Sequence, residues 1–475
     1  MYINKYLIIL IAFSLSAAQL QHEFVAYTNS TDATAFNNSH KIVPRNGDIF
    51  SDTIHVVYHS SDSIYYVYTT DQGQTWQTPV AVYAGVYPAL DVDIFGFRHL
   101  AWQYFDTNNS NYEIYYDCLD DWCPPLNVSE TPTNSTLPDL VADSTGVVHL
   151  TWTDADQIYY RTCQNGVLSD TFRLSGYGSA QATYSHPSMS IFVPNHRVYV
   201  VWECYDIECY SPYQIHYRYK EDDTWSSTTT WESYLAMRHP SVDFSHGTES
   251  IYEEISLCYE DSTSGNMEAT FFGGNGGGYA TQGYSTYPVI STVGNTWSYL
   301  FWQEDSSGYE DIYYHLYYCF SGWSSGSLRT ILNIQEPIRF PNTCGAYLVW
   351  TQGDNPPYSI YFADFGYPIG IREDHQLHKT NISARPNPFC RMTEIRCEMA
   401  DKGSYALGAT LEFKIYNSTG QLVKSFSVQS SVGGHQLSVK WLGDDDGGNE
   451  LPAGIYLCCI KDEKGEFFKK IVKID

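Results

Sequence analysis

Apolar and polar residues alternate along the chain in short runs, and these runs recur at a regular distance. Prolines at positions 44, 88, 138, 187, 240, 288 and 341 are separated by 44 to 53 residues. An apolar run ending in Trp or Tyr follows each proline, as in "HLAW", "HLTW" and "YLFW", and a run such as "IYYV" or "IYYR" comes next. Alternation with a period of two predicts β-strands. Each unit therefore predicts four short strands joined by polar turns.

Seven such units predict an all-β fold, a seven-bladed β-propeller over residues 44–370. Residues one and three places after each proline are mostly small or acidic, and residues two and four places after it are largely apolar. This alternation suits an inner strand that packs on its neighbours and lines a central channel. The seventh unit lacks an outer strand, so we expect "HEFVAYT" at 22–28, within an N-terminal segment 19–43, to complete it and close the ring.

The stretch "TTDQGQTW" follows the strand "IYYVY" and has the pattern of an Asp-box turn, with Thr69, Asp71, Gly73 and Trp76 as its defining residues. We expect Asp71 to accept backbone N–H groups, Gly73 to supply a left-handed residue and Trp76 to pack between blades. Over residues 44–365 the units resemble the bacterial neuraminidase repeats of sialidase-like propellers. That resemblance places the Asp-box on the face opposite the family's active sites, so the turn is a structural element and does not indicate catalysis.

The same resemblance implies that a sialidase would need three arginines, a Tyr nucleophile with its Glu, and an acid/base Asp. Only Arg238 ("RHP") and Arg339 ("RFP") stand directly before a blade's first strand. We therefore assign no catalytic residue and do not expect sialidase activity. Candidate ligand-binding residues on that face are Arg238, Arg339, Glu203, Glu260 and Glu304. The alternative for both arginines is a pairing with a neighbouring blade's acid or with a loop carbonyl.

The net charge of the chain limits the classes of binding partner that are expected. The net charge is −28, and all of the excess negative charge lies before residue 376, because residues 376–475 carry 12 acidic and 13 basic residues. Such a surface disfavours nucleic acid and anionic lipid, and it favours cations, neutral sugars or basic proteins. No cofactor is expected. Calcium could bind the acidic loops, but no spacing matches a calcium-binding loop, so the sequence does not decide whether the protein binds a metal.

The N-terminus "MYINKYLIILIAFSLSAAQ" predicts a signal peptide over residues 1–18. Its apolar run is too short for a membrane span, and no later run is long enough, so no transmembrane span is expected in the mature chain. Twelve cysteines fit an exported protein. Two pairs with equal spacing, Cys118 with Cys123 and Cys204 with Cys209, could each form a local disulfide.

From residue 385 the sequence changes to strands such as "LEFKIY", "HQLSVKW" and "GIYLCCI", bounded by Gly, Asn and Asp, which predicts a small β-sandwich. This segment, 385–475, resembles the type A C-terminal sorting domain of the type IX secretion system and the immunoglobulin-like domain of hook-capping proteins. The residues that carry the resemblance are Pro386, Asn387, Pro388, Gly420, Trp441, Gly454, Tyr456, Lys469 and Lys470. A polar linker, 371–384, precedes it.

These expectations combine into a secreted or outer-surface protein. The resemblance of the C-terminal segment implies the secretion machinery as one partner, and the propeller would bind a glycan or a surface protein. A glycoside hydrolase acting at the channel face and a structural or adhesion component remain the alternatives.

Overall fold

The structure is a computed structural model, and it forms two compact units, Met1–Phe365 and Gly366–Asp475, which are treated separately below. It describes residues 22–44, 51–120, 124–176, 178–192, 197–221, 223–231, 236–244, 255–263, 266–271, 279–280, 284–293, 297–306, 309–318, 322–366, 380–385, 389–399, 410–417, 422–429, 436–462 and 465–474. The predicted signal peptide lies outside this part of the chain.

The described strands of the first unit pair into seven antiparallel sheets, numbered here in chain order. Strand β1 (His22–Thr28) comes first in the chain. Sheet 1 comprises β2 (Ile42–Pro44), β3 (Ile54–Ser60), β4 (Ser63–Thr69) and β5 (Val80–Ala84), and sheet 2 comprises β6 (Val86–Val92), β7 (Arg98–Asp106), β8 (Asn111–Cys118) and β9 (Leu126–Asn127). Sheet 3 comprises β10 (Ser135–Ala142), β11 (Val148–Asp154), β12 (Gln157–Gln164), β13 (Val167–Leu168) and β14 (Phe172–Arg173).

Sheets 4 to 7 follow the same plan. Sheet 4 comprises β15 (Thr183–Phe192), β16 (Arg197–Tyr205), β17 (Tyr213–Glu221), β18 (Thr224–Trp225) and β19 (Thr229–Thr230), and sheet 5 comprises β20 (Met237–Phe244), β21 (Ile255–Asp261), β22 (Asn266–Phe271) and β23 (Tyr279–Ala280). Sheet 6 comprises β24 (Ser285–Val293), β25 (Trp297–Ser306), β26 (Tyr309–Tyr318) and β27 (Gly322–Ser327). Sheet 7 comprises β28 (Ile338–Cys344), β29 (Tyr347–Gln352), β30 (Tyr358–Asp364) and β1. A short helix, α1 (Leu328–Leu332), capped by Ser327, links sheets 6 and 7.

The first strands of the sheets lie next to one another in a closed cycle. In order, β2, β6, β10, β15, β20, β24 and β28 each contact the next, and β28 contacts β2. Strand β1 pairs antiparallel with β30, so the N-terminal strand forms the outer edge of sheet 7. A ring of radially arranged antiparallel sheets whose first strands surround an axis is a β-propeller.

Six of the seven inner strands contain one extra residue at the repeated proline. In sheet 2, for example, Tyr87 and Pro88 together oppose Trp102, because the pairing passes from Val86 with Gln103 to Ala89 with Ala101. The residue before the proline is left-handed in each case, with φ between 46° and 55°, at Tyr87, Leu137, His186, His239, Tyr287 and Phe340. Proline fits this bulge because the extra residue needs no ladder hydrogen bond.

Small and acidic side chains on the inner strands join each sheet to the next. Asp139 Oδ2 accepts from the backbone N–H of Met189 at 2.7 Å, and Asp243 Oδ2 accepts from that of Thr292 at 2.8 Å. Related hydrogen bonds run from Ala142 N to Asp91, from Phe244 N to Ser190 and from Gly345 N to Ser291. The polar positions that the sequence places on the channel side therefore form buried hydrogen bonds between sheets.

Residues 29–41, named here the crossing segment, run from β1 to β2 and enter the axis. Asn37 Nδ2 donates to the carbonyls of His239 and Pro288, and Asn38 Nδ2 donates to those of Leu137 and Pro187. Thr34 Oγ1 donates to the carbonyl of Phe340. Asp32 accepts from Tyr87 Oη and lies beside His59. The segment thus contacts all seven sheets, so the axis is filled at this end.

The Asp-box forms the turn after β4. Asp71 Oδ1 accepts from Thr75 N at 2.9 Å, and Thr69 Oγ1 accepts from Gly73 N at 3.1 Å. Gly73 has φ +88°, and a Cβ there would lie 2.2 Å from the ring of Phe362. The ring of Trp76 packs edge-on against the same Phe362 of sheet 7. This turn therefore joins sheet 1 to sheet 7 through packing.

The second unit consists of two antiparallel sheets around one core. Its strands are β31 (Thr380–Arg385), β32 (Thr393–Met399), β33 (Thr410–Asn417), β34 (Leu422–Gln429), β35 (Gln436–Trp441), β36 (Gly454–Asp462) and β37 (Gly465–Lys473). One sheet has the order β31-β32-β35 and the other β34-β33-β36-β37. Both sheets contribute to a core that includes Ile395, Phe413, Trp441 and Tyr456. Strand β31 begins at Thr380, inside the predicted linker.

Only some of the residues that carry the sorting-domain resemblance lie in the described part of this unit. Trp441 is fully buried, its Nε1 donates to the carbonyl of Asp444 at 2.9 Å, and the ring of Tyr456 packs against it. Gly454 begins β36, and Lys469 and Lys470 lie in β37. Pro386, Asn387, Pro388 and Gly420 lie outside the described residues.

Of the two predicted disulfides, only the one between Cys204 and Cys209 has both cysteines among the described residues. Cys204 is a buried free thiol and Cys209 is a partly exposed one, so the structure does not contain the predicted bond between them. Four residues lie between the two, and Cys204 is the second-last residue of β16, with its side chain inside the core of sheets 3 and 4. Cys123 lies outside the described residues, so the pairing with Cys118 stays a prediction.

Candidate functional site

One position of the repeat distinguishes sheets 4 and 5 from the others. Each second strand contains one repeated aromatic residue, and the residue directly after it is His59, Gln103, Thr153, Glu203, Glu260, Gln303 or Thr351 in sheets 1 to 7. All seven are buried. Only Glu203 and Glu260 among them are acidic, and they belong to adjacent sheets. Two carboxylates are therefore placed where the repeat otherwise has neutral side chains or a histidine.

These side chains have a structural role that recurs. Glu203 Oε2 accepts from the N–H of His239 at 3.1 Å, Glu260 Oε1 from Tyr287 at 2.9 Å, and Gln303 Oε1 from Phe340 at 3.1 Å. In each case the donor is the left-handed residue of the next sheet's bulge. Glutamine makes this bond without a charge, so the bond itself does not explain the negative charge in sheets 4 and 5.

The two glutamates belong to a group named here the inter-sheet cluster: His186, Glu203, Arg238, His239 and Glu260. Glu203 Oε2 lies 4.0 Å from His186 Nδ1 and 4.0 Å from His239 Nε2. Glu260 Oε2 lies 2.9 Å from His239 Nδ1. The imidazoles of His186 and His239 meet edge to face, with centroids 4.3 Å apart. Strands β15, β16, β20 and β21 thus bring two imidazoles and two carboxylates together.

Arg238 borders the cluster and reaches the surface. Its Nε lies 3.5 Å from Glu203 Oε2, and its guanidinium lies 4.7 Å from the centroid of the Tyr213 ring. The side chain of Arg238 is 33% exposed, whereas that of Glu203 is 6% exposed. A stacked guanidinium beside a buried carboxylate offers hydrogen-bond donors to a ligand arriving from solvent.

Burial within the cluster disfavours the charged form of His186. Burial holds the pKa of His186 well below its usual range, and the nearby His239 and Arg238 lower it further. By formal charge, Glu203, Glu260 and Arg238 together carry one net negative charge. The cluster is therefore suited to a cation or to hydrogen-bond donors rather than to an anion.

The other predicted ligand-binding residues lie elsewhere and have their own partners. Arg339 forms an ion pair with Glu310 of sheet 6, and its Nη1 donates to the carbonyl of Gly353 at 2.8 Å. These are the two partners that the alternative interpretation of the arginines names. Glu304 Oε2 accepts from Trp302 Nε1 at 3.1 Å within its own sheet. The structure thus groups Arg238, Glu203 and Glu260, and it gives Arg339 and Glu304 local structural roles.

Sequence reasoning did not identify His186 and His239 as site residues, although both are visible as "HP" before two repeated prolines. It also missed the crossing segment. Phe36 from that segment has its ring centroid 4.9 Å from that of Tyr87, 6.1 Å from that of Tyr287 and 6.2 Å from that of His186. The signal for this contact was the run of aromatic or His residues before the prolines.

Comparison with known proteins identifies the C-terminal segment. Residues 384–474 match the family model of the secretion system C-terminal sorting domain. No curated protein matches the chain. Within the described residues, no helix is both long and apolar enough to cross a membrane.

Several solved structures have a similar arrangement of strands. An α-L-arabinanase of Penicillium chrysogenum is 14% identical, covering 73% of this chain and 98% of its own, with a TM-score of 0.42. PorZ of Porphyromonas gingivalis, a surface component of the type IX secretion system, is 12% identical, covering 94% and 60%, with a TM-score of 0.39. The Hadza microbial sialidase Hz136 is 13% identical, covering 64% and 66%, with a TM-score of 0.39. These likenesses assign no ligand or activity to this chain.

The class of protein follows from these observations. The chain is an all-β protein whose first unit is a β-propeller and whose residues 384–474 match a type IX secretion sorting domain. Such a sorting domain marks a protein that is secreted or held at the outer cell surface.

Proposed function

We propose that this chain is an extracellular or cell-surface binding protein whose inter-sheet cluster binds a neutral glycan. The carrying observation is Arg238, which is partly exposed and stacked on Tyr213 beside the two buried carboxylates. Sugar hydroxyls accept hydrogen bonds from a guanidinium and donate to carboxylates, and the apolar face of a sugar ring packs on tyrosine. The net charge of −28 favours a neutral sugar over an acidic one.

The proposed organisation follows the sequence prediction. We propose a signal peptide over residues 1–18, an N-terminal segment 19–43 with the ring-closing strand, and a seven-bladed propeller over 44–370. An immunoglobulin-like sandwich over 385–475 would engage the secretion machinery. The pairing of β1 with β30 and the closed cycle of inner strands support this assignment of blades.

The test is a glycan-array experiment on the full exported chain, read with and without Ca²⁺. Specific binding to one class of neutral sugar is the expected result. Failure to bind any glycan in either condition would contradict the glycan ligand. Capture of a defined surface protein in its place would then favour a protein-binding or structural role.

A glycoside hydrolase is the second candidate, because Glu203 and Glu260 approach opposite nitrogens of one imidazole, that of His239. Hydrolases use a pair of carboxylates as acid and base or as acid and nucleophile. Release of reducing sugar from the glycan that binds best, lost in Glu203→Gln, would establish this alternative. Binding without release would leave the chain a binding protein.

A further inference from the structure

We propose that His186, Glu203 and His239 form a binding site for a divalent transition-metal ion of the zinc class. The three side chains belong to two neighbouring sheets, and one donor atom of each lies within 4.8 Å of the others. This inference goes beyond glycan binding and does not depend on it.

The donor set selects the class of metal. Two imidazole nitrogens and one carboxylate oxygen suit Zn²⁺, Co²⁺ and Ni²⁺, whereas Ca²⁺ takes six to eight oxygen ligands. Tetrahedral zinc with bonds of about 2.0–2.1 Å places its ligand atoms roughly 3.4 Å apart. Glu203 Oε2 lies 4.0 Å from a nitrogen of each histidine, so a small inward movement of the side chains closes the site.

Glu260 provides the second argument. Its Oε2 lies 2.9 Å from His239 Nδ1, on the opposite side of the ring from Glu203. The contact is short but does not have hydrogen-bond geometry. A rotation of the imidazole that let Nδ1–H donate to Glu260 would fix the tautomer and leave Nε2 to bind the metal. Strands β20 and β21 thus place Glu260 beside the ring nitrogen of His239 that does not face Glu203.

The repeat supplies a third, independent argument. Sheets 2 and 6 carry Gln103 and Gln303 at the position of Glu203, and Gln303 makes the corresponding backbone hydrogen bond. The negative charge of Glu203 is thus not required for the propeller. With Arg238 as the nearby cation, the two glutamates leave one net negative charge for a divalent ion to neutralise.

Two contacts compete with the metal and set its affinity. Ser185 Oγ lies 3.0 Å from His186 Nδ1, and Arg238 Nε lies 3.5 Å from Glu203 Oε2. Binding would replace the serine contact and reorient the guanidinium. With three protein ligands, the fourth tetrahedral position stays open to water or to an oxygen of a bound ligand.

The test uses the full, tag-free chain after removal of metal with EDTA and dialysis. Zinc chloride is titrated by calorimetry, and cobalt chloride is titrated while the visible absorption of four-coordinate Co²⁺ is recorded. We expect one equivalent per chain with a tetrahedral Co²⁺ spectrum. Glu203→Gln and His239→Ala should each abolish that spectrum, and Glu260→Gln should weaken zinc binding by about 10–100-fold.

Glu203→Gln keeps the acceptor for the His239 N–H, so it should fold, which a thermal melt verifies. Glu304→Gln is the matched control, because among the described residues that carboxylate bonds to Trp302 and Ser285 of its own sheet. Absence of stoichiometric zinc binding, or binding that both Glu203→Gln and His239→Ala retain, would overturn the proposal.

Discussion

Asn37 Nδ2 donates a hydrogen bond of 2.9 Å to the carbonyl oxygen of His239, a residue 202 positions later in the chain. The same nitrogen donates to the carbonyl of Pro288 at 2.8 Å. One amide of the crossing segment therefore joins sheets 5 and 6 at the axis. Since Asn38 does the same for sheets 3 and 4, two adjacent residues connect four sheets around the axis.

Replacing these amides should destabilise the whole propeller. Asn37→Ala leaves two inward-facing carbonyls without a donor, and an unsatisfied buried polar group costs about 1–3 kcal/mol. We expect Asn37→Ala and Asn38→Ala each to lower the unfolding free energy by about 2 kcal/mol. Asn29→Ala, in the exposed part of the same segment, is the control. Chemical denaturation measures all three, and wild-type stability in both axial variants would show that the segment does not hold the ring.

The Asp-box glycine should tolerate no side chain. In Gly73→Ala the new Cβ would lie 2.2 Å from the Phe362 ring, so that ring or the turn must move. Gly166→Ala is the matched control, because Gly166 is also left-handed but has no atom within 4 Å of its Cβ position. Both variants carry the backbone strain of about 1 kcal/mol. A further loss of about 1–3 kcal/mol should appear only at Gly73. Equal melting temperatures for the two variants would contradict this packing.

The repeated aromatic residue of each second strand should contribute strongly to core stability. Trp152 is fully buried between sheets 2 and 3, in contact with the core that contains Ile114 and Leu140. Trp152→Ala should cost about 3–5 kcal/mol. Phe95→Ala, at a 63% exposed phenylalanine, should change stability by no more than about 0.5 kcal/mol. Urea unfolding compares the two, and a small effect at Trp152 would be incompatible with the packing between these sheets.

Acid should destabilise the propeller through two buried histidines. Burial lowers the pKa of His216 to about 4 and that of His315 to about 4. In the unfolded chain each takes up a proton below pH 6.5, whereas the folded chain takes it up only near pH 4. Stability should therefore fall as pH drops from 6.5 to 4, by up to about 1.4 kcal/mol per pH unit for each histidine. Melting temperature against pH measures the slope, which the His216→Gln/His315→Gln double variant should reduce; an unchanged slope would assign it to other groups.

The repeat is the part of this fold that the sequence reveals most directly. Prolines, closing aromatics and the "IYY" runs predict the strands of each unit, and the N-terminal strand 22–28 stands out because the last unit lacks a partner. The bulges at six of these prolines cannot be predicted from the sequence. A residue before proline is expected to be extended, and no glycine marks the left-handed position.

The site was only partly predictable for a physical reason. In the sequence, Glu203 and Glu260 directly follow the repeated aromatic of their strands. Glu304 resembles them but comes two residues after its aromatic, with Gln303 between. Strand alternation sends Gln303 and Glu304 to opposite faces, so a shift of one residue changes which side chain faces the next sheet. His186 and His239 come together across two sheets, and such a contact has no local sequence signal.

The proposed function places the ligand at the inter-sheet cluster and not over the channel face as a whole. The most direct measurement compares Arg238→Ala with Arg339→Ala in a binding titration of the best ligand from the glycan array. Both arginines precede a repeated "His-Pro" or "Phe-Pro", but Arg339 is held by Glu310 and Gly353. We predict at least a tenfold loss of affinity for Arg238→Ala and an unchanged affinity for Arg339→Ala. Equal losses in both variants, or no loss at Arg238, would contradict the account.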